Sequence, residues 1–151
     1  MVVRLGTEKD FNQVMELLKE FHAESLDKYG ILMNDGIAMC AMQRFLGTSF
    51  VLEIDGHIVG VLGGTVVTYP LNDELMYQEW VWFVSRRNRL HGIRLYFKLV
   101  EYCKEHNIKK ILMVHMGNSK ADKLERFYTK LGFELLEKHY VKDLGGVNAK
   151  S

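Results

Sequence analysis

The stretch Trp80-Val81-Trp82-Phe83-Val84-Ser85-Arg86-Arg87-Asn88-Arg89-Leu90-His91-Gly92-Ile93-Arg94-Leu95 changes its period in the middle. Trp80 to Val84 is aromatic and β-branched, the composition of a strand. From Gly92 onward Leu95, Tyr96, Leu99, Val100 and Cys103 recur at three- and four-residue steps, with Lys98, Glu101 and Glu105 on the opposite face. That spacing describes an amphipathic helix ending near Asn107. Strand therefore passes into helix through a polar turn containing Arg86, Arg87 and Arg89. A helix N-terminus offers unpaired N–H groups and the positive end of its dipole, so phosphate binds there readily, and arginines add charge-assisted hydrogen bonds. The plain alternative is a solvated charged cap, and the turn by itself divides evenly between the two.

Working outward, Ile111 to Met116 is apolar except for His115, as in a strand covered on both faces. A helical crossover leads into it, so it should pair parallel with the strand ending at Val84. Ser119 to Leu131 reads as a last helix with Leu124, Phe127, Tyr128 and Leu131 inward and Gly132 as its stop, and Phe133 to Val141 as a closing strand. Upstream, Leu75 to Val84 is preceded by a hairpin, Phe50 to Ile54 and His57 to Thr68, joined by Asp55-Gly56. Before it come a first strand, Val2 to Leu5, and a helix carrying Phe11, Val14, Met15, Leu18 and Phe21 behind the capping pair Thr7 and Asp10. A second, shorter helix spans about Asn34 to Phe45 with Ile37, Cys40, Ala41 and Phe45 at helical spacing.

The chain has 151 residues, 48% of them hydrophobic, enough for one buried core. With one proline and no repeat or low-complexity stretch, the expectation is a single domain over 1–144 and a frayed tail over 145–151. Lys and Arg total 20 against 19 Asp and Glu, a balance that argues for neither a nucleic-acid nor a membrane partner. Cys40 and Cys103 lack metal-ligand spacing and read as buried thiols in a reducing compartment, so no metal is expected. With no long apolar run at the N-terminus, the expected location is cytoplasmic.

Two motifs resemble the GNAT superfamily of N-acetyltransferases. Arg87-Asn88-Arg89-Leu90-His91-Gly92 is similar to the family's pyrophosphate loop, Gln/Arg-x-x-Gly-x-Gly/Ala, with Leu90 where the first glycine stands. Arg126-Phe127-Tyr128-Thr129-Lys130-Leu131-Gly132-Phe133 resembles its late-helix signature, and Ala121 stands where an asparagine is usual, with Asn118 one helical turn earlier. The resemblance spans the whole chain. It implies an α/β (α+β) fold whose central sheet is mixed and mostly antiparallel, with about six to seven strands and about four flanking helices.

It also implies an acetyl-coenzyme A-dependent enzyme that acetylates a primary amine on a small molecule or peptide by direct attack in a ternary complex. The backbone of Trp82, Phe83 and Val84 would pair with the pantetheine arm as an added strand. The amides from Arg87 through Asn88, Arg89, Leu90, His91 and Gly92 to Ile93 would hold the pyrophosphate, with Arg86 and Arg89 lending charge. Tyr128 would protonate the departing thiolate. The acceptor would lie along Phe21, Glu24, Tyr29 and Leu135 to Tyr140. Gln78 sits where the family's basic residue is usual and cannot act as one, so Glu79 is the candidate base, with His115 or a bound water as alternatives. Alternation puts Glu79 on the opposite face from Gln78 unless a bulge shifts the register. The competing reading is a degenerate member serving as a binding or regulatory module. Trp80 and Trp82 read as packing residues, and homodimerisation is left open.

Overall fold

The computed structural model describes residues 1–115 and 121–144. Met116, Asn118, Ser119 and the tail from Gly145, all part of the expectations above, lie outside the described residues. The elements are β1 (Val2–Leu5), α1 (Phe11–Ser25), α2 (Asp35–Phe45), β2 (Phe50–Ile54), β3 (His57–Thr68), β4 (Leu75–Val84), α3 (Ile93–Glu105), β5 (Lys110–Leu112) and α4 (Ala121–Lys130), with short 3-10 turns between them. The strands form one sheet in the order β1-β2-β3-β4-β5, antiparallel throughout except for the parallel β4–β5 pair.

Local chemistry explains most boundaries. Asp10 takes the Thr7 backbone N–H at 2.8 Å and both Nη atoms of Arg4 at 2.7 and 2.8 Å, and Arg4 also reaches Glu53 at 2.6 Å. This cluster, built around the buried Asp10, ties β1 and β2 to the entry of α1. Asn34 caps α2 by accepting the Ile37 N–H at 3.0 Å. Asp55 and Gly56 both take positive φ, 51° and 79°, the pair a two-residue hairpin turn with right-handed strand twist requires.

The sheet carries a core on each face. Val14 and Leu17 of α1 and Met42 of α2 pack on Val51, Val61, Val81 and Phe83, while Leu95, Leu99 and Cys103 of α3 pack on Phe50, Leu52, Leu62, Tyr77 and Val84. Tyr77 and Val84 share a face although they are an odd number of residues apart, which a regular strand forbids. A β-bulge resolves this: Gly63 pairs with Val81 and Gly64 with Glu79, so Trp80 has no partner across the ladder. A Cβ on Gly64 would clash with the Gln78 carbonyl and come within 2.6 Å of the Tyr77 ring.

Four expectations are corrected. The described sheet has five strands, not six to seven. Phe133 to Val141 joins no ladder, since no neighbouring strand covers it and Leu135, Leu136, Tyr140 and Val141 stay exposed. Of the run Ile111 to Met116, the described residues Ile111 to His115 are not a strand covered on both faces, because the ladder stops at Leu112 and Val114 is exposed. Of the two thiols, Cys103 is buried and Cys40 is exposed. Among the described residues no helix is long and apolar enough to cross a membrane.

Candidate active site

β4 is paired with β3 from end to end except at Trp80, but with β5 only from Met76 to Gln78. From Glu79 to Val84 no strand covers its other edge among the described residues. The strands part where a side chain replaces a backbone acceptor: the Val114 N–H donates to Glu79 Oε2 at 2.8 Å. Glu79 is only 3% exposed, and burial pushes its carboxyl up to about 7 against the opposing pull of the Val114 N–H.

Val114 is held from the other side as well, because the Tyr128 hydroxyl donates to its carbonyl at 3.3 Å. That bond is long enough for the hydroxyl to exchange partners at little cost. The Tyr128 ring packs on Phe133 and Trp82, with centroids 5.4 and 6.4 Å apart. Burial first, and the neighbouring Glu79 charge second, hold its hydroxyl well above the ordinary phenol range. The His115 ring lies 6.2 Å from that of Tyr128, and its buried Nδ1 has no hydrogen-bond partner among the described residues. A carboxyl poised near neutrality and a firmly protonated phenol thus meet at one residue beside an open strand edge.

At the other end of that edge, Arg86–His91 forms a 3-10 turn and α3 begins. At its start the Leu95 N–H reaches Gly92 O at 3.0 Å. A Cβ on Gly92 would lie 3.2 Å from Val84 Cγ2 and 3.3 Å from the Arg89 carbonyl, so glycine lets the loop close onto the strand. Leu90, in place of a glycine, keeps negative φ and points outward with 91% exposure. Arg86, Arg87 and Arg94 are exposed around this turn. Arg89 is committed elsewhere, its Nη2 bonding Glu24 Oε2 of α1 at 2.7 Å.

The structure therefore brings Trp82, Phe83, Val84, the Arg86–Ile93 turn, Glu79 and Tyr128 to one edge of β4. Gln78 stays within the parallel ladder. Val114 was not picked out from the sequence, since its part depends on where the ladder ends, whereas Trp80, read as a packing residue, does stack on Phe45 and is turned outward by the bulge. The pair Gly63-Gly64 inside a strand was the available signal for that bulge.

The acetyltransferase (GNAT) family model matches residues 11–133. Among solved structures, a ribosomal-protein-alanine N-acetyltransferase from Brucella melitensis biovar Abortus 2308 superposes with a TM-score of 0.73 at 18% identity, covering 95% of this chain and 98% of that one. An aminoglycoside acetyltransferase from an uncultured soil metagenomic sample, in complex with sisomicin, superposes with a TM-score of 0.70 at 18% identity over 95% of this chain and 96% of that one. A predicted acetyltransferase from Clostridium acetobutylicum, with acetyl-CoA, gives 0.71 at 20% identity over 95% and 96% of the two chains. At these identities the likeness is one of fold. A search of curated proteins returns no match.

Proposed function

The chain belongs to the GNAT acetyltransferase family, and from that premise we propose that it transfers an acetyl group from acetyl-coenzyme A to a primary amine by direct attack. The observation that carries this reading is the unpaired edge of β4, flanked by Glu79 and Tyr128 at one end and by the arginine-bearing turn into the N-terminus of α3 at the other. The backbone from Glu79 to Val84 is free to bond an extended pantetheine arm as an added strand. The N-terminal amides of α3, with Arg86, Arg87 and Arg94 beside them, suit a diphosphate. The residues fit the co-substrate because Gly92 keeps this turn tight against Val84 and Leu90 points away from it.

In the transfer the amine lone pair forms the C–N bond at the thioester carbon and the C–S bond breaks. The surplus proton on nitrogen passes to the Glu79 carboxylate, about half ionised near neutrality. Tyr128 turns from the Val114 carbonyl to donate to the sulfur as negative charge gathers there. With its hydroxyl raised above the ordinary phenol range, it serves better as a hydrogen-bond donor to the thiolate than as an acid that gives its proton up. The thiolate then takes its proton from solvent, and Glu79 returns its own to solvent. Calorimetric titration with acetyl-coenzyme A tests the reading. Saturable binding is expected, weakened when Arg86 and Arg87 are replaced by alanine. Absence of heat at high micromolar ligand would leave the chain a binding module of acetyltransferase fold.

A further inference from the structure

The acceptor must reach the open edge of β4 from a definite side. Tyr128, Trp82 and α3 occupy one face of the sheet there, which leaves the face carrying α1 and α2. On that face the bulge turns Trp80 outward, 55% exposed on a strand that is otherwise largely buried, and next in sequence to Glu79. Its ring is stacked on Phe45, centroids 6.1 Å apart and planes 21° from parallel. Phe45 ends the row Ile37, Ala41, Phe45, one residue per helical turn on α2, and Ile37 is 71% exposed. The result is an apolar strip that starts at the residue next in sequence to Glu79 and runs along α2.

Glu24 of α1, Asp27 of the turn after it and Asp35 of α2 already have partners within the chain. Glu24 bonds Arg89 at 2.7 Å, Asp27 bonds His22 at 2.8 Å, and Asp35 lies 3.6 Å from Lys19. A polyamine needs several free anions, and a surface offering paired ones and an aromatic strip discriminates against it. A single ammonium on an apolar body is suited: the body covers the strip, and the charge rides over the indole face until the proton is lost.

We infer that the acceptor is a monoamine carried on an aromatic or branched apolar body, seated on Trp80 and the Ile37–Ala41–Phe45 row, and not a polycation. This rests on the acetyltransferase reading above. Thiol release from acetyl-coenzyme A would be measured with 2-phenylethylamine, with a dipeptide amide beginning in phenylalanine, and with spermine and kanamycin. The expected result is a kcat/KM at least about tenfold higher for one or both aromatic amines than for either polycation. The two aromatic arms tell a free amine from a peptide N-terminus.

Trp80→Ala should raise KM for the aromatic amine about tenfold, Trp80→Phe should restore most of it, and the Kd for acetyl-coenzyme A should be unchanged in both. Ile37→Glu, at a position too exposed to affect folding, should raise KM for the aromatic amine and lower it for spermine. Preference for a polycation, or an unchanged KM in both Trp80→Ala and Ile37→Glu, would overturn the inference while leaving the acetyltransferase reading intact. Failure of the wild-type chain to bind acetyl-coenzyme A would instead remove that reading, and this one with it.

Discussion

Glu79 is asked to be two things that conflict. As the proposed base it must ionise, yet it sits at 3% exposure with one N–H partner, an environment that penalises the charge. The compromise is a carboxyl pushed up to about 7. Turnover should therefore rise with pH through about 7, and Glu79→Gln should remove that limb while lowering kcat roughly 10²-fold. The same shift has a stability cost whose sign follows from linkage. Between the ordinary value of 4.5 and about 7 the folded chain binds a proton that the unfolded chain has lost, so stability falls as pH rises through that window. Glu79→Gln, which keeps an acceptor for Val114 and cannot ionise, should thus be the more stable protein at pH 8. The gain there is roughly 3 kcal/mol at most, and it should vanish near pH 4 in thermal melts. Tyr128→Phe is the complementary case. It removes the proposed donor to sulfur and the long bond to the Val114 carbonyl while leaving the ring in place, so kcat should drop roughly 10²-fold with the Kd for acetyl-coenzyme A little changed.

At the scale of elements, the bulge in β4 is what places these residues, and glycine is what allows it. The Gly64 carbonyl accepts from Thr48 Oγ1 at 2.6 Å, and the Tyr77 hydroxyl donates to the Thr48 carbonyl at 2.7 Å, fastening both strands at the bulge to the turn before β2. Gly64→Ala would drive a methyl into the Gln78 carbonyl and the Tyr77 ring. A loss of about 2 to 3 kcal/mol is expected, measured by denaturant unfolding, together with lower activity in the folded fraction because Glu79 is displaced. The limits of β1 to β4 were legible in the sequence because each strand is a run of β-formers stopped by its own turn chemistry, such as Asp55-Gly56. The last two strands were not, because a strand needs a neighbour. Glu79 takes the N–H of Val114 near the point where the ladder stops, and Phe133 to Val141 pairs with no strand among the described residues. Tyr128 was legible through its motif, and Glu79 was legible as a candidate. The face Glu79 occupies depended on a register skip that alternation alone cannot foresee.

At the scale of the whole molecule, the proposed co-substrate would touch pieces of chain that are far apart in sequence: the β4 edge, the first turn of α3, and Tyr128 on α4. Their mutual support in the free protein is thin. The β4–β5 ladder is three residues long, and the link from Tyr128 to Val114 is a single bond of 3.3 Å. The opposite end of the sheet is held by the Arg4–Asp10–Glu53 cluster, and Arg4 keeps the Asp10 carboxyl down at about 2, so this end should hold at any pH above roughly 4 whatever is bound. A ligand that binds only the folded chain stabilises it by mass action. With acetyl-coenzyme A at a hundredfold excess over its Kd the gain is about 2.7 kcal/mol, roughly 5 to 10 °C in Tm for a chain of this size. Hydrogen exchange should place that gain unevenly, slowing the amides of Val114 and the first turn of α3 far more than those of β1 and β2. Uniform protection across the sheet, or none at α3, would mean that the ligand does not bridge the open edge.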